Sequence, residues 1–161
     1  MNVFYTVSSS LIQAFALTWD MYKDAIENIP DADWRTGTIN YLIPARLVYH
    51  VLEASDYYSG TSEDYTGGRR FNIDWQEASP SQLPSKDQTL VYLDEVRGKV
   101  ESWLAGIDDE GFVVKQNIFV WTGRTVLSRA LYLLSHCRQH FGEINAELRN
   151  RGLPRIVWRT F

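Results

Sequence analysis

The sequence contains a single cysteine, Cys137, among its 161 residues. One cysteine cannot form an internal disulfide, and it cannot supply the clustered thiolates of a zinc-finger or iron–sulfur site. A bound metal ion would therefore need histidine, aspartate or glutamate as its ligands. We expect Cys137 itself to be a packing residue in the core.

The sequence also lacks an excess of basic residues and any long apolar run. It has 16 Lys and Arg against 20 Asp and Glu, for a net charge of -4, so nucleic acid is not an expected partner. No apolar stretch approaches the roughly 18 residues that span a bilayer. The segment Met1-Asn2-Val3-Phe4-Tyr5 has neither the charged region nor the apolar block of a signal peptide. We expect a cytoplasmic protein that does not bind membranes.

The composition is that of an ordinary folded protein. Hydrophobic residues make up 45% and charged residues 22% of the chain, which excludes intrinsic disorder and fibrous repeats. A chain of this length can bury a sizeable core without disulfides. We therefore expect a single domain over residues 1–161.

Four stretches have apolar residues at the three- and four-residue spacing of amphipathic helices. The first ends before Pro30, the second begins at Pro44, and Gly152 follows the fourth, all of which are local signals for helix ends. A serine or an aspartate, Ser85 or Asp87, can cap the third. The predicted helices run from Phe4 to Ile29, from Pro44 to Tyr58, from about Ser85 or Lys86 to Gly106, and from about Thr122 or Thr125 to Arg151.

Two of the connections between the predicted helices have a distinctive amino-acid composition. Residues 59–85 are rich in Ser, Gly, Asp and Pro without a sustained period, and they predict a long irregular connection. Residues 111–121 are rich in β-branched and aromatic residues, which favours a small β-hairpin turning near Gln116 and Asn117. The sequence thus predicts an all-α four-helix bundle, with a long connection between helices two and three and a β-hairpin before helix four.

All three histidines fall in predicted helices. His136 and His140 are four residues apart, so their imidazoles point the same way and can share one metal ion. His50, in the second helix, could supply a third ligand from a facing helix. Three protein ligands leave coordination positions open for water or substrate, which is typical of catalytic zinc sites. The alternative is that the histidines are core residues whose nitrogens bond to carbonyl groups.

Glu143 lies on the same helical face as the two histidines. It could orient an imidazole, bind the ion or act as a general base, and it could equally be a solvated carboxylate. Glu53 and Tyr57 follow His50 by three and seven residues, the same spacings at which Glu143 follows His140 and His136. For these two residues, packing or solvent exposure is the simpler interpretation. The Glu-x-x-His pairs of di-iron bundles and the H-E-x-x-H of common zinc proteases are both absent from the sequence.

Aromatic residues in the connections, two arginines in the long connection and one arginine in the fourth helix are further candidates for a binding site. A few aromatic side chains could wall an apolar pocket beside the metal, while most should cover the ends of the bundle. Arginines could hold an anionic ligand, although a solvated surface position is the simpler fate for each. The aromatic candidates are Trp34, Tyr65, Phe71, Trp75, Phe119 and Trp121, and the arginine candidates are Arg69, Arg70 and Arg138.

Two segments resemble the DinB-like (DinB/YfiT-like) superfamily of metal-dependent enzymes. The first runs from Arg46 to Glu53 and reads RLVYHVLE. The second, His136 to Ile144, reads HCRQHFGEI and is followed by Leu148-Arg149-Asn150-Arg151-Gly152. The second segment is the more specific, because a histidine pair followed by Gly-Glu-Ile recurs in that family. Helix order and loop lengths extend the resemblance over essentially the whole chain.

The resemblance implies a four-helix bundle in which three histidines hold a divalent metal. His50, His136 and His140 each match a ligand position. Zinc or nickel would be the first candidates for the ion, with iron or manganese as further ones. Known activities of the superfamily include transfer or isomerisation with low-molecular-weight thiols, and several members are homodimers.

We therefore expect a homodimeric metalloprotein that acts on a small-molecule substrate, by thiol-dependent transfer or isomerisation or by metal-assisted hydrolysis. Glu143 is the candidate catalytic residue, as proton acceptor in the hydrolytic case. The alternative function is a metal-free helical bundle that serves as a binding or dimerisation module without catalytic activity.

Overall fold

The computed structural model describes residues 6–65 and 70–160, and within these ranges the protein is all-α. The described residues form helices but no β-strand, which confirms the predicted fold class. The α-helices are α1 (Val7–Asn28), α2 (Asp31–Trp34), α3 (Pro44–Tyr58), α4 (Lys86–Ala105), α5 (Asp109–Val113) and α6 (Val126–Asn150).

The four long helices pack against one another in a closed ring. Helix α1 contacts α4 and α6, and α3 contacts the same two helices. This arrangement is compatible with the predicted four-helix bundle. Large side chains fill the space between them, and each buried apolar side chain contributes about 1.5–3 kcal/mol to folding. The largest in the core include Phe15, Trp19, Tyr22, Tyr49, Tyr92 and Phe141.

The helix ends follow the local signals in the sequence. The hydroxyls of Ser85 and Thr125 accept hydrogen bonds from the backbone N–H groups of Gln88 and Ser128, so each serine or threonine caps its helix. Gly152 follows α6 with a φ of +70°, a conformation that glycine adopts without strain. Helix α1 is capped by Thr6, and the predicted start at Phe4 lies outside the described residues.

The predicted β-hairpin is wrong. Residues of that segment form part of α5 and a 3-10 turn at Val120–Thr122, and the only bridge pairing described there joins Lys115 to Thr125. The Asp108 carboxylate caps α5 by accepting from the Gly111 N–H, and Phe112 is fully buried. A local cap and burial of one aromatic ring thus override the β-propensity of the neighbouring valines.

A buried arginine holds the long connection between α3 and α4 in place. The Arg46 guanidinium is 1% exposed and donates hydrogen bonds to the backbone carbonyls of Trp75, Gln76 and Ala78. It also bonds to the backbone and side-chain oxygens of Asn40. The connection is irregular, as predicted, with a 3-10 turn at Pro80–Gln82. Its residues 66–69, which include the candidate Arg69, lie outside the described part.

Within the described residues, no helix combines the length and the apolar character that crossing a membrane would require.

Candidate metal centre

The three histidines of the sequence meet between α3 and α6. The Nε2 atom of His136 lies 3.1 Å from the Nε2 of His50 and 3.1 Å from the Nε2 of His140. One nitrogen from each ring falls within 4.8 Å of the other two. The four-residue spacing on α6 and the facing position on α3 therefore bring these side chains together, as predicted.

Two of the three distances between these nitrogens match those expected around a divalent metal ion. With metal–nitrogen bonds of about 2.0–2.1 Å, two ligand nitrogens stand about 2.9 Å apart at a right angle and about 3.3 Å apart at the tetrahedral angle. The two observed separations of 3.1 Å lie between these values. Three imidazoles also form a donor set that suits zinc, nickel and iron. The cluster could therefore hold such an ion.

Burial keeps two of the rings neutral. Desolvation, followed by the neighbouring imidazoles, lowers the pKa of His50 to about 3. Desolvation and His140 likewise lower the pKa of His136 to about 4, despite the opposing effect of Glu143. A neutral imidazole is the form that binds metal, so these two side chains are ready as ligands at neutral pH.

Glu143 contacts the far side of the His140 ring. Its Oε2 lies 2.7 Å from His140 Nδ1 and accepts a second hydrogen bond, of 3.2 Å, from the Tyr41 hydroxyl. A proton on Nδ1 that is donated to this carboxylate leaves the Nε2 lone pair directed at the other histidines. The geometry therefore favours an orienting role for Glu143, one of the roles predicted from its spacing.

His136 lacks such a partner on its own far side. Its Nδ1 is buried and has no hydrogen-bond partner among the described residues. Buried nitrogens are nearly always paired, so an unpaired one calls for an explanation, of which a functional role is one. The Tyr132 ring lies one helical turn away and almost parallel to the His136 ring, with an interplanar angle of 8°.

A sequence model described as the DinB superfamily matches residues 14–144. That match spans most of the chain and includes all three histidines and Glu143. The chain belongs to the DinB superfamily. Neither the curated proteins nor the solved structures contain a significant match to it.

Only some of the other candidate residues of this DinB superfamily chain line the cavity beside the histidines. The buried Glu53 carboxylate accepts hydrogen bonds from the Tyr65 and Tyr49 hydroxyls, and Tyr57 lines a cavity beside the histidines. Of the aromatic residues in the connections, Tyr65 and Trp75 also line this cavity. Trp34, Phe71, Phe119 and Trp121 are not among its lining residues.

The arginine candidates that the structure describes have protein partners. Arg70 forms a two-contact ion pair with Glu95, and Arg138 donates to the Thr18 hydroxyl and the Ala14 carbonyl. Arg69 lies outside the described residues. Cys137 is fully buried, and its sulfur lies 3.6 Å from the Ser55 hydroxyl, which confirms its role in packing.

The sequence interpretation missed three tyrosines near the histidines. Tyr58 and Tyr132 line the cavity, and Tyr41 bonds to Glu143. Tyr132 could have been found, because it precedes His136 by the same four residues that separate His136 from His140. Tyr41 lies outside the long helices, where no periodic signal predicts its neighbours.

Proposed function

We propose that His50, His136 and His140 bind one divalent transition metal ion, zinc or nickel first and iron or manganese next. The convergence of their Nε2 atoms carries this proposal. The Glu143 carboxylate supports it, because its contact with His140 Nδ1 selects the tautomer in which Nε2 is free to bind metal.

The bound ion would supply Lewis acidity, lowering the pKa of a coordinated thiol or water molecule. The chain's own residues provide the rest. Glu143 and Tyr41 fix the orientation of His140, and Trp75 covers one face of His50 and limits the access of water to that ring. The adjoining cavity gives a small-molecule substrate a place beside the histidines.

We infer a thiol-dependent transfer or isomerisation as the reaction, in a cytoplasmic homodimer. Glu143 then acts as a positioning residue, since its Oε2 already accepts from His140 and Tyr41. Metal-assisted hydrolysis is the second candidate, in which Glu143 accepts a proton from the nucleophile. A metal-free binding module is the contrasting function, in which the three converging Nε2 atoms would contact only one another.

Calorimetric titration of a small thiol tests this reaction class. Reduced glutathione would be titrated into zinc-loaded protein, into metal-free protein and into the His136→Ala variant. We expect measurable heat of binding for the zinc-loaded wild type alone, because only that form offers an ion to the sulfur. Equal binding to all three preparations would contradict thiol coordination at this site.

A further inference from the structure

A cavity of about 330 Å³ lies directly beside His50 and His136. Its volume falls in the range of about 300–1,000 Å³ that small-molecule sites occupy. Five aromatic side chains form most of its wall. They are Tyr57, Tyr58, Tyr65, Trp75 and Tyr132.

The aromatic walls are held in place by their contacts with one another and with the histidines. The Trp75 indole stacks on His50 with ring centroids 3.8 Å apart, and Tyr132 lies parallel to His136. Tyr58 packs edge-on against Tyr132, with centroids 5.3 Å apart. Rings fixed in this way present both flat faces and edges to a ligand before it binds.

The charge of the lining narrows the class of ligand. Among the described residues that line the cavity, none is a lysine, an arginine, an aspartate or a glutamate. Burial raises the pKa of Tyr58 to about 12, so that hydroxyl is uncharged at neutral pH. An anionic group would find no cationic side chain to pair with in this lining, so only an ion on the histidines could attract it, and a cationic group would be repelled by that divalent ion.

We propose that this cavity binds an uncharged, planar aromatic group of the substrate, with Tyr58, Trp75 and Tyr132 as the residues that determine this specificity. The proposal rests on the proposed function, because it places the aromatic group next to the reacting centre. An aromatic electrophile bound there would have its ring against the cavity wall and its reactive carbon toward the histidine nitrogens.

Three probes that share one ring system but differ in charge test the proposal. They are 2-naphthol, 2-naphthoate and 2-naphthylmethylammonium, which are neutral, anionic and cationic at pH 7. Calorimetry would give the Kd of each for zinc-loaded and metal-free protein. We expect 2-naphthol to bind both forms. It should bind the metal-free form more tightly than 2-naphthoate does, and the zinc-loaded form more tightly than 2-naphthylmethylammonium does. Metal-free protein that binds 2-naphthoate as tightly as 2-naphthol, or zinc-loaded protein that binds 2-naphthylmethylammonium as tightly as 2-naphthol, would overturn the proposal.

Two variants locate the binding site of the neutral probe. Tyr132→Ala removes an exposed ring from the cavity wall, and Leu131→Ala removes its exposed apolar neighbour, which does not line the cavity. We expect Tyr132→Ala to weaken 2-naphthol binding about tenfold and Leu131→Ala to leave it unchanged. Circular dichroism would verify that both variants are folded. Unchanged binding in Tyr132→Ala, or equal loss in both variants, would contradict the proposed site.

These measurements separate the two proposals. The protein could take up no zinc and still bind 2-naphthol in a way that Tyr132→Ala weakens. That result would support the aromatic cavity and contradict the metal centre. Stoichiometric zinc uptake with no preference for the neutral probe would support the metal centre and overturn the aromatic specificity.

Discussion

The indole ring of Trp75 stacks on the imidazole of His50, with ring centroids 3.8 Å apart and ring planes inclined by 29°. The two residues come from different parts of the chain, since Trp75 belongs to the connection between α3 and α4 while His50 lies in α3. Arg46, one helical turn before His50, bonds to the Trp75 carbonyl. One helix therefore supplies both a candidate metal ligand and the side chain that holds its cover in place.

Replacing Arg46 by lysine should destabilise the protein. The guanidinium donates to the carbonyl of Asn40, which precedes α3 in the sequence, and to those of Gln76 and Ala78, which follow it. A single ammonium cannot make all these contacts. We expect the free energy of unfolding, measured by urea denaturation, to fall by about 2–4 kcal/mol. Arg149→Lys, at an exposed position near the end of α6, is the matched control and should change it by less than about 0.5 kcal/mol. Equal midpoints for the two variants would refute this role of Arg46.

Replacing Glu143 by glutamine should weaken metal binding without abolishing it. The amide keeps the size of the side chain but loses the charge that strengthens the contact with His140 Nδ1. We expect metal affinity to fall by about 10- to 100-fold in competition with a chelator. Glu101→Gln, on the exposed surface of α4, should leave the affinity unchanged. A complete loss of binding in Glu143→Gln would instead indicate that Glu143 is itself a ligand.

Replacing Glu147 by glutamine should cost stability through a different contact. This fully buried carboxylate accepts hydrogen bonds of 2.6 Å and 2.7 Å from the Thr38 N–H and hydroxyl. The oxygen of a glutamine amide can replace only one of the two acceptors. One Thr38 donor would then face an NH2 group, and both would lose a charged partner. We expect a loss of about 1–3 kcal/mol in urea unfolding. The exposed Glu27→Gln on α1 serves as control, and a loss no larger than its own would disprove the effect.

Cys137 should resist alkylation while the protein is folded. Burial raises the pKa of its thiol to about 12, so almost no reactive thiolate exists at pH 8, and the sulfur is inaccessible. We expect iodoacetamide to react at least about 100-fold more slowly than with the urea-unfolded chain, as followed by mass spectrometry. Similar rates in the two states would show that the thiol is exposed.

Local signals made the helix ends and the histidine cluster predictable. Ser85, Thr125 and Gly152 act on backbone groups a few residues away, so their effect is contained in the sequence around them. The four-residue spacing of His136 and His140 works in the same way, because helical geometry is regular. Only the contribution of His50 required a tertiary assumption, namely that its helix faces the fourth predicted helix.

The hairpin and the contacts of the connections were not predictable by the same reasoning. The Asp108 cap and the burial of Phe112 stabilise a helical turn despite the β-propensity of Val113 and Val114. Both valines remain exposed. The position of Trp75 on His50 depends on hydrogen bonds from a side chain to backbone carbonyls. Every residue has such a carbonyl, so no residue pattern in the sequence marks those that are used.

Metal stoichiometry tests the central claim most directly. Protein purified without a histidine tag would be supplied with zinc, dialysed and examined by elemental analysis, as wild type and as the variants His136→Ala and Gln139→Ala. Gln139 is exposed on the same helix and serves as the control. We predict about one zinc ion per chain in the wild type and in Gln139→Ala, and almost none in His136→Ala with its helical circular dichroism retained. A wild type that stays empty, or equal zinc content in wild type and His136→Ala, would contradict the three-histidine metal centre.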